Sequence, residues 1–392
     1  MSYSSINRLK NLKGKNSLVF CDFGVTFRSD IKSTKVDNDT KYRKHLETIE
    51  KLSFLGSKVI IAPSSDLEIG LISRNFERLL KLNPKFNSQV IFYDNPDIRK
   101  ILDVINIMKD GDVLILKRLN SYLTRTLNTK DLSKFLKSFI SVSVFDDFSS
   151  FYSENKIYLS LLKNTKNYIG YSFEEDLDNL DKIYKTGNKN KIALVSGLYE
   201  ENRVLFIENL LKKDYRVLLG GEIALAFIKV SGFRVGITDF SRIDREKINY
   251  LIKKYNKKIV FPVDLVVSDN KTKEKNVVRK KIEDIGKTGY VCDVGPETIK
   301  IYTSFFRCGE IILWSGLLGF TENARFTNGS KMIMDVFVNR SKTSVFGASI
   351  GNRTCDFILK NGFSDDIDYL FYDRKVVFNY FSSSKSEISK LL

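Results

Sequence analysis

KIALVSGLYEENRVLFIENLL, residues Lys191–Leu211, is the stretch whose reading decides the fold. Ile192–Val195 is a strand-length apolar run, Ser196-Gly197 breaks it, and Val204, Leu205, Ile207, Leu210 and Leu211 return at helical spacing. Strand, tight loop and helix together offer backbone N–H groups and the positive end of a helix to a phosphate. Yet the loop carries Tyr199, Glu200 and Glu201 and no lysine. Two carboxylates repel a phosphate, so the stretch reads as phosphate-binding architecture with unsuitable side chains.

The same alternation extends outward in both directions. On the N-terminal side, Leu18–Asp22 reads as a strand, Asn38–Leu55 as a helix opened by Asp39 or Thr40 and stopped by Gly56, and Lys58–Ala62 as the next strand. Helix Ile69–Leu82, strand Gln89–Tyr93, helix Ile98–Lys109, strand Val113–Leu116, helix Thr129–Phe139 and strand Ser141–Phe145 follow. Ser172–Lys191 is the expected boundary, with Glu174, Glu175 and Asp176 on a connecting helix and TGNKNK (186–191) as its closing loop. Beyond the opening stretch come strand Arg216–Leu219, helix Ile223–Val230, helix Arg245–Tyr255, a single strand Lys258–Val267 and strand Gly289–Asp293. Helix Glu297–Phe306, strand Ile311–Trp314, helix Asn328–Val338 and strand Thr343–Phe346 complete the series. Strands alternating with helices at this spacing predict an α/β fold of two doubly wound, parallel-sheet, Rossmann-like domains. The expected division is an N-terminal lobe over 1–171, a connecting helix and hinge over 172–191, a C-terminal lobe over 192–370, and a segment 371–392 packing back on the N-terminal lobe.

A chain of 392 residues is too long for one ordinary core, which agrees with two domains. No apolar run approaches the ~20 residues that span a membrane, and the N-terminus lacks a signal-peptide pattern. Cysteines 21, 292, 308 and 355 are scattered without CxxC pairing, as expected of reduced thiols in a cytoplasm. His45 is the only histidine, which counts against histidine triads and histidine-rich metal sites and favours a structural role for it. The net charge of +17 implies attraction to an acidic partner, set against mere compositional drift.

With these segments in order, the chain resembles the phosphoglycerate kinase family along essentially its full length. LKGK (12–15) precedes Asp22-Phe23-Gly24-Val25-Thr26, similar to the family's D-F-N-V-P loop. Asn38-Asp39-Thr40-Lys41-Tyr42-Arg43 is similar to its N-D-T-R-x-R helix, Pro262-Val263-Asp264 to its PVD strand, and Asp293–Thr298 to its D-x-G-P-x-T turn. Trp314-Ser315-Gly316-Leu317-Leu318-Gly319 looks like the W-N-G-P-M-G loop. The resemblance implies two lobes facing a cleft, the first binding phosphoglycerate on a basic patch and the second binding Mg-nucleotide.

Position by position, the resemblance also implies losses. Gly24 replaces a substrate-binding asparagine, and Lys41 an arginine, which loses the bidentate fork. Pro63-Ser64-Ser65-Asp66-Leu67-Glu68 lacks the histidine and arginine of S-H-L-G-R-P, Lys117-Arg118-Leu119-Asn120 shifts an arginine by two, and Tyr152-Ser153-Glu154-Asn155 lacks that of H-R-A-H. In the second lobe Ser196–Arg203 corresponds to G-G-A-K-V-S-D-K, with Tyr199 and Arg203 at the lysines. Glu222 ends a glycine triplet begun by Gly220-Gly221, Ile350 stands for the aspartate tied to the metal, and Asp373-Arg374-Lys375 for a second glycine triplet; Glu322 survives. Losing one preorganised stabiliser of transition-state charge costs ~3–4 kcal/mol. The vestigial positions are then Asp22, Lys41 and Arg43 on the substrate side and Gly197, Arg203, Gly220, Gly221, Gly316 and Glu322 on the nucleotide side, with no catalytic residue and no metal.

The expectation is a non-catalytic member of the family, a pseudoenzyme without cofactor or useful ATP binding, serving as a structural or docking subunit of a larger cytoplasmic assembly. Its docking candidates are the basic runs Lys253, Lys254, Lys257, Lys258 and Lys271, Lys273, Lys275, Arg279, Lys280, Lys281, facing protein subunits with an acidic surface. Two alternatives stay open. One is a divergent phosphotransferase of the phosphoglycerate kinase type using Mg-ATP/ADP and an acyl phosphate; the other is a basic nucleic-acid-binding protein.

Overall fold

The computed structural model describes residues 4–23, 27–30, 33–36, 39–63, 69–95, 100–116, 129–148, 165–185, 187, 189–238, 240–272 and 276–382. The chain divides into two compact units, with the change from one to the other after Asn179, inside the helix Tyr171–Tyr184.

The first unit is built on a six-stranded parallel sheet. Its order across the sheet is Val90–Tyr93, Val113–Leu116, Lys58–Pro63, Asn16–Cys21, Val142–Phe145, Lys166–Ile169. The inner strands read VIIA, VLIL and LVFC and are buried on both faces, which is why they run apolar without alternation. Helices Leu46–Phe54, Ile69–Leu80, Ile101–Ile107 and Thr129–Phe139 lie between strands in sequence. The expected helix over 38–55 is broken at Lys44-His45 into Thr40–Arg43 and Leu46–Phe54. Fully burying side chains such as Ile60, Ile61 and Phe76 contributes about 1.5–3 kcal/mol each, and this core carries the unit's stability.

The second unit repeats the plan with the order Ile259–Val260, Arg216–Leu219, Lys191–Val195, Ile311–Ser315, Phe346–Ile350, Tyr369–Phe371, again all parallel. The stretch that opens the sequence reading is its central strand and following helix, Lys191–Val195 and Glu201–Lys212. Trp314 is fully buried on the neighbouring strand, edge-on to Phe337 and Phe357.

One expected strand needs correction. The run 258–267 is not one strand: Ile259–Val260 ends the parallel sheet, and Asp264–Ser268 is the middle of a separate antiparallel sheet between Val278–Lys281 and Tyr290–Val294. Pro262, which has no N–H to give a ladder, stands at the change of sheet. Of the C-terminal segment 371–392, the helix Arg374–Ser382 belongs to the second unit. Helix Arg374–Ser382 packs on Glu201–Lys212, with Phe378 stacked on Phe206 at 4.2 Å and Phe381 edge-on to Phe206 and Tyr184; residues 383–392 lie outside the described residues.

Candidate functional site

In the second unit the chain leaves the central strand Lys191–Val195 first toward Arg216–Leu219 and later toward Ile311–Ser315. A crevice opens at the carboxyl ends of strands where such a reversal occurs. Here those ends are Ser196-Gly197 and Ser315-Gly316. Gly316 has φ +92°, and a Cβ on it would fall 2.2 Å from the Ser196 carbonyl oxygen, so no side chain fits. Arg203, from the first turn of the following helix, threads its guanidinium beside both glycines. Its Nη1 donates to the Ser196 carbonyl, the residue is 4% exposed, and its Nε has no partner among the described residues. Burial, joined by repulsion from Arg374, pushes its pKa down to about 10.

The crevice is a cavity of about 460 Å³. One side is apolar, formed by Ala224, Leu225, Leu265, Val291, Leu318 and Phe320. Arg203, Arg353, Arg374 and Lys375 also line the cavity and supply positive charge, and Lys271 lies over the ring of Phe320. Helices Glu201–Lys212, Gly221–Val230 and Asn352–Lys360 begin near it with no side-chain cap bond from Glu200, Gly220 or Gly351. Ile223 N already donates to the Gly197 carbonyl at 3.1 Å, and Arg203 N and Thr354 N to the Glu200 and Gly351 carbonyls, so only the N–H groups ahead of these are offered to a ligand anion. A flat apolar slot beside a cationic, N–H-rich end is what a nucleotide requires.

Its acids are mostly engaged. Glu200 accepts from Arg374 Nη2 at 2.8 Å, Glu322 pairs with Arg353, and Glu222 lies 4.0 Å from Lys271. Asp293 is 3% exposed and accepts from Val294 N at 2.8 Å and Gly329 N at 3.0 Å; burial nevertheless pushes its pKa up to about 7. Tyr199 ties the loop down, its hydroxyl accepting from Asp244 N at 3.0 Å. Two of the sequence motifs meet below the site: Asp264 accepts from Thr298 N and Oγ1 at 2.8 and 2.7 Å and from Glu297 N at 3.2 Å, capping helix Pro296–Cys308.

The expected nucleotide-side positions Gly197, Arg203, Gly221, Gly316 and Glu322 all line this cavity, and Gly220 adjoins it at the start of the helix Gly221–Val230. Sequence reasoning missed the contribution of Arg353, Lys375 and Asp293, and it placed Lys271 on a docking surface. A basic pair such as Arg374-Lys375 at the start of a helix was the one available signal. On the substrate side, Asp22 donates its N–H to His45 Nε2 at 3.1 Å, Arg43 pairs with Asp39 at 2.6 Å, and Lys41 lies in helix Thr40–Arg43. Gly24–Thr26, Ser64–Glu68, Lys117–Asn120 and Tyr152–Asn155 lie outside the described residues.

Cys21, His45 and Asp146 converge in the first unit with ligand atoms within 4.8 Å of one another. Hydrogen bonds already use both imidazole nitrogens: Nδ1 bonds to Asp146 Oδ2 at 2.8 Å, and Nε2 accepts from Asp22 N. Asp146 also accepts from Thr48 Oγ1 at 2.8 Å and Ser172 N at 3.1 Å, so the group reads as a buried polar tie between segments. Of the docking candidates, Lys253, Lys254 and Lys257 are exposed, Lys258 pairs with Asp214 at 2.5 Å, and Arg279 is held by Asp264 at 2.6 Å. Lys280 and Lys281 lie on the edge strand Val278–Lys281, and Lys273 and Lys275 fall outside the described residues.

The phosphoglycerate kinase family model matches residues 6–380. The chain belongs to the phosphoglycerate kinase family. The phosphoglycerate kinase of Clostridium botulinum (strain 657 / Type Ba4) is 25% identical over 382 residues, covering 92% of this chain and 91% of its own. That of Wolbachia pipientis subsp. Culex pipiens (strain wPip) is 26% identical over 372 residues, covering 91% and 90%. The solved phosphoglycerate kinases of Coxiella burnetii and Pyrococcus horikoshii OT3 share the fold, with TM-scores of 0.79 and 0.81 at 18% and 19% identity. Each covers at least 98% of both chains.

This membership overturns the expectation of a pseudoenzyme. Relatives that align along nine-tenths of the chain are named as kinases, and nothing in them points to a non-catalytic structural subunit. The expectation that no cofactor is needed falls with it, because the family's kinases work on Mg-ATP/ADP. In the second unit, Arg353, Arg374, Lys375 and Lys271 from other segments line the same cavity as Arg203, while the first-lobe positions at 24, 64–68, 117–120 and 152–155, on which the expectation also rested, lie outside the described residues. Among the described residues no helix is long and apolar enough to cross a membrane.

Proposed function

We propose that this chain is a divergent phosphotransferase of the phosphoglycerate kinase type, moving a phosphoryl group between an acyl phosphate and a magnesium-complexed adenine nucleotide. The observation that carries the reading is the switch-point cavity of the second unit, with its apolar slot and cationic end. The base packs between Leu225, Leu265, Val291 and Leu318, and the phosphates lie toward Arg353, Arg374 and Lys375. Arginine forks bind phosphate oxygens two at a time and hold the chain of phosphates in one orientation.

In the transfer, a terminal oxygen of the nucleoside diphosphate attacks the phosphorus of the acyl phosphate. A new P–O bond forms, the bond to the acyl oxygen breaks, and a carboxylate leaves with its electron pair. Charge grows on the three equatorial oxygens, where fixed cations and helix N-termini lower the barrier. Magnesium enters with the nucleotide as part of the substrate. Ile350 offers it no oxygen at the end of strand Phe346–Ile350, so no step depends on a metal held by that residue. Because Arg353 and Arg374 must each leave a carboxylate partner, turnover is expected to be slower than in relatives with unpaired cations. We infer a cytoplasmic location, in keeping with the four free thiols.

The test couples ATP formation from ADP and an acyl phosphate to hexokinase and glucose-6-phosphate dehydrogenase. ATP should form only when both substrates are present, and Arg353→Ala should lower the rate by about 10²-fold, the usual loss for one stabiliser of transition-state charge. No ATP formation above the uncatalysed rate with 1,3-bisphosphoglycerate, acetyl phosphate or carbamoyl phosphate, together with no calorimetric binding of MgADP, would sink the proposal.

A further inference from the structure

Glu200 stands beside this cavity, with its carboxylate on Arg374, one of the arginines that line it. It is the N-cap of helix Glu201–Lys212, with an extended backbone, yet its side chain makes no bond to its own helix. Instead the carboxylate reaches the start of the last helix and accepts from Arg374 Nη2 at 2.8 Å. Its charge also acts on Arg203, whose guanidinium is held between Gly197 and Gly316 by one bond to the Ser196 carbonyl. Arg203 is 4% exposed and keeps an Nε–H without a partner among the described residues. Arg374 repels it. Two neighbouring arginines, one of them buried and short of a partner, favour an anion between or beside them.

We propose that Arg203 and Arg374 form a two-arginine anion site whose resting occupant is the Glu200 carboxylate, and that a ligand phosphate binds there by displacing it. The identity of that ligand as a nucleotide rests on the reading above; the anion site rests on the geometry. The displacement determines specificity. A carboxylate brings one charge and two oxygens, whereas a terminal phosphate brings up to two charges and three oxygens and can bond both guanidinium groups. Diphosphates therefore win the site and singly charged anions do not. The Glu200–Arg374 pair spans 174 residues of sequence, so its release also frees the start of helix Arg374–Ser382 from the loop after the central strand.

Calorimetric titration of the full chain decides the matter, with pyrophosphate and MgADP as separate probes and wild type, Glu200→Gln and Arg374→Gln as proteins. Glu200→Gln keeps the shape and removes the competing charge, so pyrophosphate should bind about twofold to fivefold tighter, the worth of one partly exposed ion pair. Arg374→Gln should bind it at least threefold more weakly. MgADP should follow the same order. If pyrophosphate follows the pattern and MgADP binds to none of the proteins, the anion site stands and the nucleotide reading fails. If MgADP binds wild type and Glu200→Gln alike, the nucleotide reading stands and the displacement is refuted. Equal or weaker pyrophosphate binding to Glu200→Gln, or none to any form, also overturns the proposal. Glu200 is one-third exposed and outside the core, so its variant is expected to fold, as circular dichroism will verify.

Discussion

Asp293 is a buried acid lining the switch-point cavity of the second unit, and replacing it with asparagine tests the electrostatics there. Its carboxyl is 3% exposed, and burial raises its pKa from 3.8 to about 7 despite the N–H groups of Val294 and Gly329. Because the folded-state pKa is raised, the folded chain holds a proton over that interval that the unfolded chain has released. The stabilising contribution is fully present below the unfolded value and is lost as pH rises through about 7. At roughly 1.4 kcal/mol for each pH unit, the loss amounts to about 4 kcal/mol between pH 4 and pH 7. The neutral amide of Asp293→Asn does not ionise, so the variant should not show this loss. It would, however, present an amide donor to one of the two N–H groups that now find separate oxygens, Val294 N on Oδ1 and Gly329 N on Oδ2. That costs about 1–3 kcal/mol at every pH. The stability of Asp293→Asn relative to wild type is therefore expected to rise by about 3 kcal/mol from pH 5 to pH 8. Urea unfolding followed by tryptophan fluorescence reads the right unit, since Trp314 is the sole tryptophan and is buried in the same unit. A stability difference between the two proteins that is the same at pH 5 and pH 8 would refute the reasoning.

Further outcomes follow from single positions. Gly316→Ala must abandon φ +92° or drive its Cβ onto the Ser196 carbonyl, at a cost of at least about 1–2 kcal/mol, and should lose MgADP affinity as Arg203 is displaced; an unchanged urea midpoint and affinity would contradict this. Phe378→Ala removes the ring stacked on Phe206 and should destabilise the second unit by about 3–5 kcal/mol, seen as faster tryptic cleavage near the start of helix Arg374–Ser382. Thr48→Val deprives Asp146 of one donor and the Tyr171 N–H of its acceptor, so the first unit should lose about 1–3 kcal/mol in urea unfolding read by far-ultraviolet circular dichroism, with the Trp314 transition unmoved.

Much of the fold was legible in the chain because parallel strands buried on both faces must be short apolar runs, and because crossover helices must separate them. Lys191–Leu211 states this arrangement in 21 residues, and the observed strand and helix follow it. Where local signals failed, the cause was tertiary. Lys258–Val267 is continuous in hydrophobicity, and only the pairing partners reveal that Ile259–Val260 and Asp264–Ser268 belong to different sheets. His45 reads as a structural histidine from its solitude, but its partners Asp146 and Asp22 come from two other segments.

The site divides along the same line. Sequence alone determined that a phosphate-binding strand, loop and helix were present and that the loop's own lysines were missing, because both are properties of neighbouring residues. It could not determine the charge of the finished cavity. Lys271, Arg353, Arg374 and Lys375 are remote from Arg203 in the chain, and they share one space because the ends of the parallel strands Phe346–Ile350 and Tyr369–Phe371 and of the antiparallel strand Asp264–Ser268 meet there. Charges act through distance in space, not along the chain. For that reason each loss read along the chain, at Tyr199, Glu222 or Ile350, was a local fact, and the tertiary structure decided what surrounds it.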